Sequence, residues 1–564
     1  MAAPEKFDAV IVGAGFGGIY QLYRLRKLGL SCLVIDQAGG VGGTWYWNLY
    51  PGAMSDTESV VYRYSWDKQD LSEYPWPERY VKQPEVLAYL NHVADRYNLK
   101  QHMRFHTELT AASWDDASQS WSLSTSSGEI TAKYFVTCLG ILSKQNFPDI
   151  PGLHSFAGEL HHTARWPKDC SFAGKRVGVI GSGSTGVQLI TEIASQVKSL
   201  VSFQRHPQYS VPSGDVKVTP EERKTINDNY DAIWHLVRNS HTGFGFVEST
   251  RPYHSVSPEE REKIFQELWD KGNGFHFMFG GFNDIATNRE ANEGACDFMR
   301  RKIDQIVKDP EKARKLKPYE MFAKRPICDG NAKTGQKYFE QFNRDHVDIV
   351  HLGETPIQEI EAKGVRTADG KLHELDMLIL ATGFDSVEGN YTRLAIRGRD
   401  GVTLQDEWKE GPTSALGIFV PNHPNLFMVN GAKGPFTNQP PGIEAQVDFV
   451  ADTIERAEQA GTRLVEVLPE GEQAWSQLCA KLAVGTLFWE ADGSWIFGTN
   501  IPGKKKTLRF FFGGMSGYLK ELEKCVREGY PGFRPFLQQQ QPVAAASQLQ
   551  TDVPAVVEGS KASA

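Results

Sequence analysis

The sequence predicts an α/β protein, and three observations along the chain support this prediction. An apolar strand pattern meets a glycine loop and a helix pattern at "FDAVIVGAGFGG". The same succession recurs at "KRVGVIGSGSTGVQL", and a charged stretch with helical spacing fills about 215–320. A strand, a glycine turn and a helix in succession form the βαβ unit that binds dinucleotides. The predicted fold class is therefore α/β, with two Rossmann-type dinucleotide-binding domains and a helical insertion.

The first unit contains Gly13, Gly15 and Gly18, and its second strand, "SCLVID", ends at Asp36. The first glycine permits a tight turn, the second lets the backbone approach a pyrophosphate, and the third lets helix and strand pack closely. The helix N-terminus then offers free N–H groups to phosphate. Because a carboxylate accepts hydrogen bonds from ribose hydroxyls and repels a 2′-phosphate, this site suits FAD or NAD.

The second unit contains Gly181, Gly183 and Gly186, and its following strand, "SLVSFQR", ends at Arg205. A guanidinium at this position suits a 2′-phosphate through a charge-assisted pair. A solvated surface arginine is the alternative interpretation of Arg205. The first unit therefore ends in an acidic residue, Asp36, and the second in a basic residue, Arg205. This pair of charges suits one site for FAD and one site for NADPH.

The segment from about 215 to 320 changes character. "TPEERKTINDNYDAIW" and "SPEEREKIFQELW" both begin with a capping hydroxyl and an acidic first turn, which predicts helices. The predicted domains are an FAD-binding domain at 1–145 and 386–536, an NADP-binding domain at 146–215 and 330–385, and a helical insertion within the latter at 216–329. The polar, Ala/Gln-rich end at 537–564 predicts a disordered tail.

Composition excludes several classes. A net charge of −8 gives no reason to expect a nucleic-acid surface. The apolar runs are too short to span a membrane, and the N-terminus lacks a signal-peptide pattern. Seven dispersed cysteines without a CxxC pair predict reduced thiols, no metal site and a cytoplasmic location.

Two further motifs carry candidate chemistry. "GGTWYWNLYPG" combines flexible backbone with flat aromatic surface, and core packing is its alternative interpretation. Asp56 follows it and could equally cap a turn. In "FAKRPICDG", Lys324 and Arg325 precede Pro326 in an extended segment and so point to opposite sides. These residues alone favour a solvated charge pair; the alternative is that one reaches a nucleotide phosphate and the other the reacting centre.

The stretch between the two glycine loops shows a resemblance to a known family. "FAGELHHTARWP" matches FxGxxxHxxxWP through Phe156, Gly158, His162, Trp166 and Pro167. This resembles the fingerprint of type I Baeyer–Villiger monooxygenases, in which both glycine loops flank it. The resemblance covers about 7–535 and includes "GGTWYWNLYPG", "KRP", "ATGFD" and "SWIFGTNIPGKK".

The resemblance implies a reaction with three parts. NADPH reduces FAD, O2 adds to give a C4a-peroxyflavin, and this attacks a ketone to form a Criegee intermediate that rearranges to an ester or lactone. Arg325 matches the family's catalytic arginine, whose charge is fixed at working pH. Asp56 matches the acid that orients this arginine. The partners expected are therefore O2 and a small ketone, and the protein is expected to be a monomer.

The resemblance also assigns site residues. The FAD-binding set is Gly13, Gly15, Gly17, Gly18, Asp36, Gly43, Thr44, Trp45, Asp56, Tyr62, Leu109 and Gln439. The NADP-binding set is Gly181, Ser182, Gly183, Ser184, Thr185, Gly186, Gln188, Arg205, His206, Lys324, Arg325 and Trp495. The substrate pocket is lined by Leu142, Phe436, Thr437 and Phe510. Gln439 departs from the family pattern, which usually has an apolar residue there.

His162 is expected to fix the geometry of the connector between the two domains, because the peroxyflavin already supplies the nucleophile. Its replacement by Ala should damage turnover and leave the flavin bound. Two alternative functions stay open. An N- or S-oxidising flavin monooxygenase is opposed by Trp166, Pro167 and Arg325. A non-enzymatic nucleotide sensor is opposed by Asp56, Lys324, Arg325 and Trp495.

Overall fold

The structure is a computed structural model that describes residues 4–320, the backbone of 327–328, and residues 337–462, 464–490 and 493–536. Up to the fingerprint stretch its helices and strands are, in order, β1 (Glu5–Val12), α1 (Phe16–Lys27), β2 (Cys32–Ile35), α2 (Thr44–Trp47), β3 (Met54–Glu58), α3 (Lys68–Glu73), β4 (Tyr80–Lys82), α4 (Gln83–Arg96), β5 (Met103–Arg104), β6 (Leu109–Asp115), β7 (Ser120–Thr125), β8 (Gly128–Thr137) and β9 (Lys144–Gln145).

The middle of the chain contains the second glycine loop and the insertion. Its elements are β10 (Glu159–His162), β11 (Arg176–Ile180), α5 (Ser184–Ile193), β12 (Ser199–Gln204), β13 (Ser210–Val211), α6 (Pro220–Asp228), α7 (Tyr230–Asn239), α8 (Pro258–Lys271), α9 (Gly274–Phe279), α10 (Arg289–Ile306), α11 (Pro310–Leu316), β14 (Ile327–Cys328), α12 (Tyr338–Gln341), β15 (Val347–His351), β16 (Ile357–Glu361), β17 (Gly364–Thr367), β18 (Leu372–Glu374) and β19 (Met377–Leu380).

The last part returns to the first sheet. Its elements are β20 (Phe384–Asp385), β21 (Ala395–Arg397), α13 (Leu404–Glu407), β22 (Leu426–Met428), β23 (Gly434–Pro435), α14 (Gln439–Gln459), α15 (Pro469–Ala483), β24 (Phe510–Phe511) and α16 (Gly514–Arg527).

Two sheets organise the molecule. The first has the order β21-β6-β7-β8-β1-β2-β5, with β22 also paired to β8, and β1 runs parallel to β2 and β8. The second has the order β10-β19-β11-β12-β15 and is parallel throughout. Each contains one glycine-loop unit, which confirms the predicted fold class of two Rossmann-type domains.

The chain crosses between the two sheets twice. It leaves the first through β9 and returns through β20, and these two crossing segments pair antiparallel. The predicted domain limits fall at these crossings and stay a proposal. Helices α6 to α11 occupy the predicted insertion, and its Phe265 and Phe298 share one core cluster with Val10 and Ile35 of the first sheet. The insertion therefore shares a core cluster with the first sheet, although it follows the second glycine loop in sequence.

Candidate active site

A cavity of about 290 Å³ opens where β1, β2 and the N-terminus of α1 meet. In doubly wound sheets this carboxyl end of the strands is where ligands bind. Ten residues of the predicted FAD set line the cavity: Gly13, Gly15, Gly17, Asp36, Gly43, Thr44, Trp45, Tyr62, Leu109 and Gln439. Leu142, assigned to the substrate pocket, also lies on its wall.

Close backbone contacts require glycine at two positions of the first loop. A Cβ on Gly13, whose φ is +109°, would lie 2.4 Å from the Cys138 carbonyl oxygen. A Cβ on Gly18 would lie 1.8 Å from the Gly13 oxygen. These two glycines therefore close the turn, while Gly15 leaves α1 without a side-chain cap. The uncapped N–H groups of α1 face the cavity and suit the pyrophosphate of a dinucleotide.

Asp36 lies at the other side of the turn, as the sequence predicts. Its carboxylate accepts hydrogen bonds from the N–H groups of Ala14, at 2.7 Å, and Ala38, at 2.8 Å. Burial raises the pKa of this carboxyl, while the two N–H groups oppose the shift. A carboxylate held beside a phosphate cradle in this way fits the ribose end of FAD.

The aromatic motif forms part of the wall. The Trp45 indole N–H donates to the Tyr62 hydroxyl at 3.2 Å, and the Arg165 guanidinium lies 3.5 Å from the Trp47 ring centroid. Arg165 and Trp47 both line the cavity; Trp47 belongs to the aromatic motif, whereas Arg165 is not among the predicted site residues. The signal was present, because Arg165 immediately precedes the tryptophan of the fingerprint.

The second glycine loop repeats the geometry of the first. A Cβ on Gly181, at φ +116°, would lie 2.3 Å from the Ala381 oxygen, and one on Gly186 would lie 2.2 Å from the Gly181 oxygen. Gly183, by contrast, has no atom within 4 Å of an added Cβ and leaves α5 without a side-chain cap. This open, uncapped helix N-terminus fits a second dinucleotide phosphate.

The remaining predicted NADP residues divide into two groups. The first group, Arg205 and His206, lies near the loop that contains Trp495. A Cβ built on Gly493 in this loop would lie 3.6 Å from Arg205 and 3.7 Å from His206. Ser182 donates to the His206 carbonyl oxygen at 2.8 Å. Arg205 is exposed, as a residue that meets a 2′-phosphate must be.

The second group faces the first domain. The buried Gln188 side chain accepts from the Tyr50 hydroxyl at 2.8 Å and donates to the Met54 oxygen at 3.2 Å. These contacts join the second glycine loop to the segment before β3. The roles of Thr185 and Gln188 at the nucleotide stay predictions.

Aromatic rings pack together at the residues predicted to line the substrate pocket. The Phe436 ring packs 5.2 Å from Phe510 and 6.5 Å from Trp495, measured between centroids. Thr437 donates to the Thr242 oxygen, and its own carbonyl oxygen accepts from Gln439, which lines the FAD cavity. The aromatic cluster of Phe436 is therefore connected to the FAD cavity through Thr437 and Gln439.

The fingerprint stretch lies in the second sheet. It forms the edge strand β10, which pairs with β19. Phe156 and Trp166 belong to separate core clusters, and Gly158 is required because its Cβ would lie 2.5 Å from the Asp376 oxygen. Pro167 follows, half-buried.

His162 at the end of β10 accepts a hydrogen bond from the Ala164 N–H at 3.1 Å through Nδ1. Burial lowers the pKa of its imidazole to about 4. The neutral ring thus shapes the turn that leads to Arg165 at the cavity wall.

Of the two predicted catalytic residues, the structure describes Asp56 only. Asp56 is half-buried on β3 and is absent from the lining of the FAD cavity, as is Gly18. Lys324 and Arg325 lie outside the described residues.

Three further observations concern the classes that the sequence excludes. Cys32, Cys138, Cys170, Cys296, Cys479 and Cys525 are free thiols. In the described part of the chain, the donor atoms of Glu159, His161 and Cys170 lie within 4.8 Å of one another, but Glu159 is already paired with Lys175. The absence of a metal stays a prediction. No helix among the described residues is long and apolar enough to cross a membrane.

Two uncapped helix N-termini behind glycine loops, one unit ending in Asp36 and the other in Arg205, are the features of a pyridine-nucleotide-dependent flavoprotein. Known proteins agree with this class. Residues 6–211 match the family model for flavin-binding monooxygenase-like proteins. A Baeyer–Villiger monooxygenase from Pseudooceanicola batsensis is 49% identical over 93% of this chain and 95% of its own.

Two other similar proteins carry different names. A phenazine N-monooxygenase from Lysobacter antibioticus is 48% identical over 93% of this chain and 96% of its own. The crystal structure of cyclohexanone monooxygenase from Rhodococcus sp. Phi1 bound to NADP+ superposes with a TM-score of 0.92 at 51% identity, covering 95% of this chain and 100% of that one.

The chain belongs to the Baeyer–Villiger monooxygenases. It is an FAD- and NADPH-dependent enzyme that inserts an oxygen atom next to a ketone carbonyl to give an ester or lactone.

Proposed function

We propose that this enzyme converts small cyclic ketones such as cyclohexanone to lactones, with O2 as cosubstrate, as a monomer in the cytoplasm. The observation that carries the proposal is the aromatic wall of Phe436, Phe510 and Trp495 beside the FAD cavity. Such a wall suits a compact apolar ketone without a charged group. The similarity to cyclohexanone monooxygenase supports the same substrate class.

The residues of the chain would bind, orient and stabilise. FAD and NADPH, when bound, supply oxygen activation and electrons. Asp36 and the N-terminus of α1 would hold the ribose and pyrophosphate of FAD, and Gly183 with Arg205 would hold NADPH. These contacts would position the flavin ring of FAD and the nicotinamide ring of NADPH without taking part in the chemistry.

Arg325 would act at the reacting centre. Its guanidinium stays protonated at working pH, so it presents a fixed positive charge to the negative charge that develops on the ketone oxygen. A charge that is already oriented is often the largest single contribution to catalysis. Asp56 would orient this guanidinium from β3.

A second candidate function is N-oxidation of a flat aromatic amine. The observation that favours it is the 48% identity to the phenazine N-monooxygenase. The complete fingerprint, with Trp166 and Pro167, favours ketone oxidation.

Product analysis tests both. Purified protein with FAD, NADPH and air is given cyclohexanone or phenazine in parallel, and products are identified by mass. We expect lactone formation coupled to NADPH loss. Phenazine N-oxide without lactone would replace the proposal, and sedimentation velocity would test the monomer.

Arg325→Ala separates the steps. We expect NADPH still to bleach its flavin absorbance, while lactone is no longer made. Arg397→Ala, an exposed arginine on β21, is the control and should behave as wild type. A normal lactone yield from Arg325→Ala would remove this residue from the mechanism.

A further inference from the structure

Asn273, which directly precedes α9, joins the insertion to the strand that carries Asp56. Its side-chain amide donates to the Asp56 carbonyl oxygen at 3.2 Å and to the Tyr80 hydroxyl on β4 at 2.7 Å. Its side-chain oxygen accepts from the N–H groups of Phe275, at 2.8 Å, and His276, at 3.1 Å. One buried amide therefore holds the β3–β4 hairpin and the start of α9 together.

The backbone of Asn273 contributes as well. Its N–H donates to the Pro212 oxygen at 2.8 Å, and its carbonyl oxygen accepts from Phe277 at 2.9 Å. The residue is only 3% exposed, and all of its hydrogen-bonding groups are engaged inside the protein. A buried amide satisfied in this manner specifies one arrangement of the segments around it.

The conformation of Asn273 is unusual for a residue with a side chain. Its φ of +77° and ψ of +120° lie outside the left-handed helical region, and residues with a side chain rarely adopt them. Such a conformation costs free energy and persists at functional positions where the surroundings impose it. Glycine adopts a positive φ at less cost than a residue with a side chain, so the backbone alone does not explain an asparagine here.

The start of α9 leads to the substrate side of the site. The Phe275 ring stacks 3.8 Å from Phe244, and the His276 ring lies 4.2 Å from Phe246. The loop that carries these phenylalanines also accepts, through the Thr242 oxygen, a hydrogen bond from Thr437 of the predicted substrate pocket. Asn273 thus lies between Asp56 and the loop that borders this pocket.

We propose that Asn273 is a positioning residue for oxygen insertion: its amide holds the strand of Asp56 in register with the aromatic loop beside the substrate pocket. The inference rests on the proposed function. A displacement of about 1 Å at a reacting centre can reduce a rate by about a hundredfold. Loss of this amide should therefore separate NADPH consumption from product formation.

Two substitutions test the amide. Asn273→Gly suits the local φ and removes the whole side chain. Asn273→Asp keeps an oxygen that caps α9 but loses the amide donor to the Asp56 oxygen. In both variants we expect FAD content and KM for NADPH close to wild type, with a lower thermal midpoint because buried hydrogen bonds are lost. Lactone formed per NADPH consumed should fall about tenfold, with hydrogen peroxide rising to match.

Asn288→Gly and Asn288→Asp are the matched controls. Asn288 caps α10 in the same insertion through N–H groups of Glu290, at 3.0 Å, and Ala291, at 3.4 Å. It has no hydrogen bond to β3 among those of the described residues, so its variants should keep the wild-type lactone yield.

The outcomes are distinguishable. Wild-type lactone yield in both Asn273 variants overturns the inference. It is overturned too if Asn273→Gly loses FAD or unfolds while Asn273→Asp keeps full yield, because the asparagine is then only a helix cap. No lactone from the wild-type enzyme would instead contradict the proposed function.

Discussion

At the scale of single residues, the two nucleotide cradles differ in one charge. Asp36 ends the second strand of the first unit, and Arg205 ends the corresponding strand of the second. Asp36 is held by two backbone N–H groups, whereas Arg205 is exposed beside Gly493. Such a difference is what separates a cofactor with a free ribose from one with a 2′-phosphate.

Arg205→Ala should weaken use of NADPH specifically. Loss of a hydrogen bond to a charged group costs about 1.5–3 kcal/mol, so KM for NADPH should rise about tenfold or more. KM for NADH, which has no 2′-phosphate, should stay nearly constant. Steady-state kinetics with both cofactors measure this, and an equal change for both would contradict the role. Arg397→Ala serves as the exposed control.

His162 illustrates a different residue-scale effect, in which burial controls a proton. The pKa of its imidazole is about 4 in the fold, against an ordinary value of 6.5. The folded protein therefore binds this proton less readily than the unfolded chain does. The stability that the neutral ring contributes is fully present above a pH of about 6.5. It is lost as the pH falls towards about 4.

His162→Asn should flatten this dependence. An asparagine oxygen can still accept from the Ala164 N–H, but it does not titrate. We expect the thermal midpoint of wild type to fall more steeply than that of the variant between neutral pH and about 4. Parallel curves would show that the imidazole is not protonated on unfolding.

At the scale of elements, the two glycine loops are built alike. In each loop the third glycine lies against the backbone of the first. A Cβ on Gly18 would lie 1.8 Å from the Gly13 oxygen, and a Cβ on Gly186 would lie 2.2 Å from the Gly181 oxygen. The middle glycine leaves the helix uncapped in both loops; Gly183 has open space around it, whereas a Cβ on Gly15 would lie 3.4 Å from Gly43. The first and third positions thus serve packing, and the middle one serves the ligand.

Gly183→Ala and Gly186→Ala should separate these roles. Gly183 has open space and a φ of −73°, so Ala fits the fold and should raise KM for NADPH about tenfold with little loss of stability. Gly186→Ala meets the Gly181 oxygen and should cost about 1–3 kcal/mol. Thermal unfolding and NADPH kinetics of both variants measure this; equal destabilisation would contradict the assignment.

At the scale of the whole molecule, a buried charge cluster holds the second crossing between the sheets. Glu388 accepts from Arg509 at 2.9 Å and from Lys504 at 2.7 Å. Lys504 also bonds Asp385, which Lys144 of the first crossing reaches at 3.1 Å. Burial raises the pKa of Glu388, but the two cations outweigh it and hold the pKa below its ordinary value. The cluster joins both crossings to the segment that follows Trp495.

Arg509→Met should destabilise the fold strongly. Arg509 is 2% exposed, and its removal leaves a buried carboxylate with one fewer cation, at a cost of about 3–5 kcal/mol. Urea unfolding of the FAD-loaded enzyme measures this loss. Arg397→Met, at an exposed position, should stay within about 0.5 kcal/mol of wild type. A loss that small in Arg509→Met would show that the cluster adds no net stability.

The sequence by itself determined the two cradles and their charges, because a strand, a glycine turn and the first helical residues are neighbours along the chain. The fingerprint predicted the family for the same local reason. Only the tertiary structure decided that Gln188 faces Tyr50, that Arg165 lies over Trp47, and that Asn273 reaches Asp56 across 217 positions of sequence. Periodicity and turn propensity act over a few residues, whereas these contacts follow from how the insertion and the two sheets pack together.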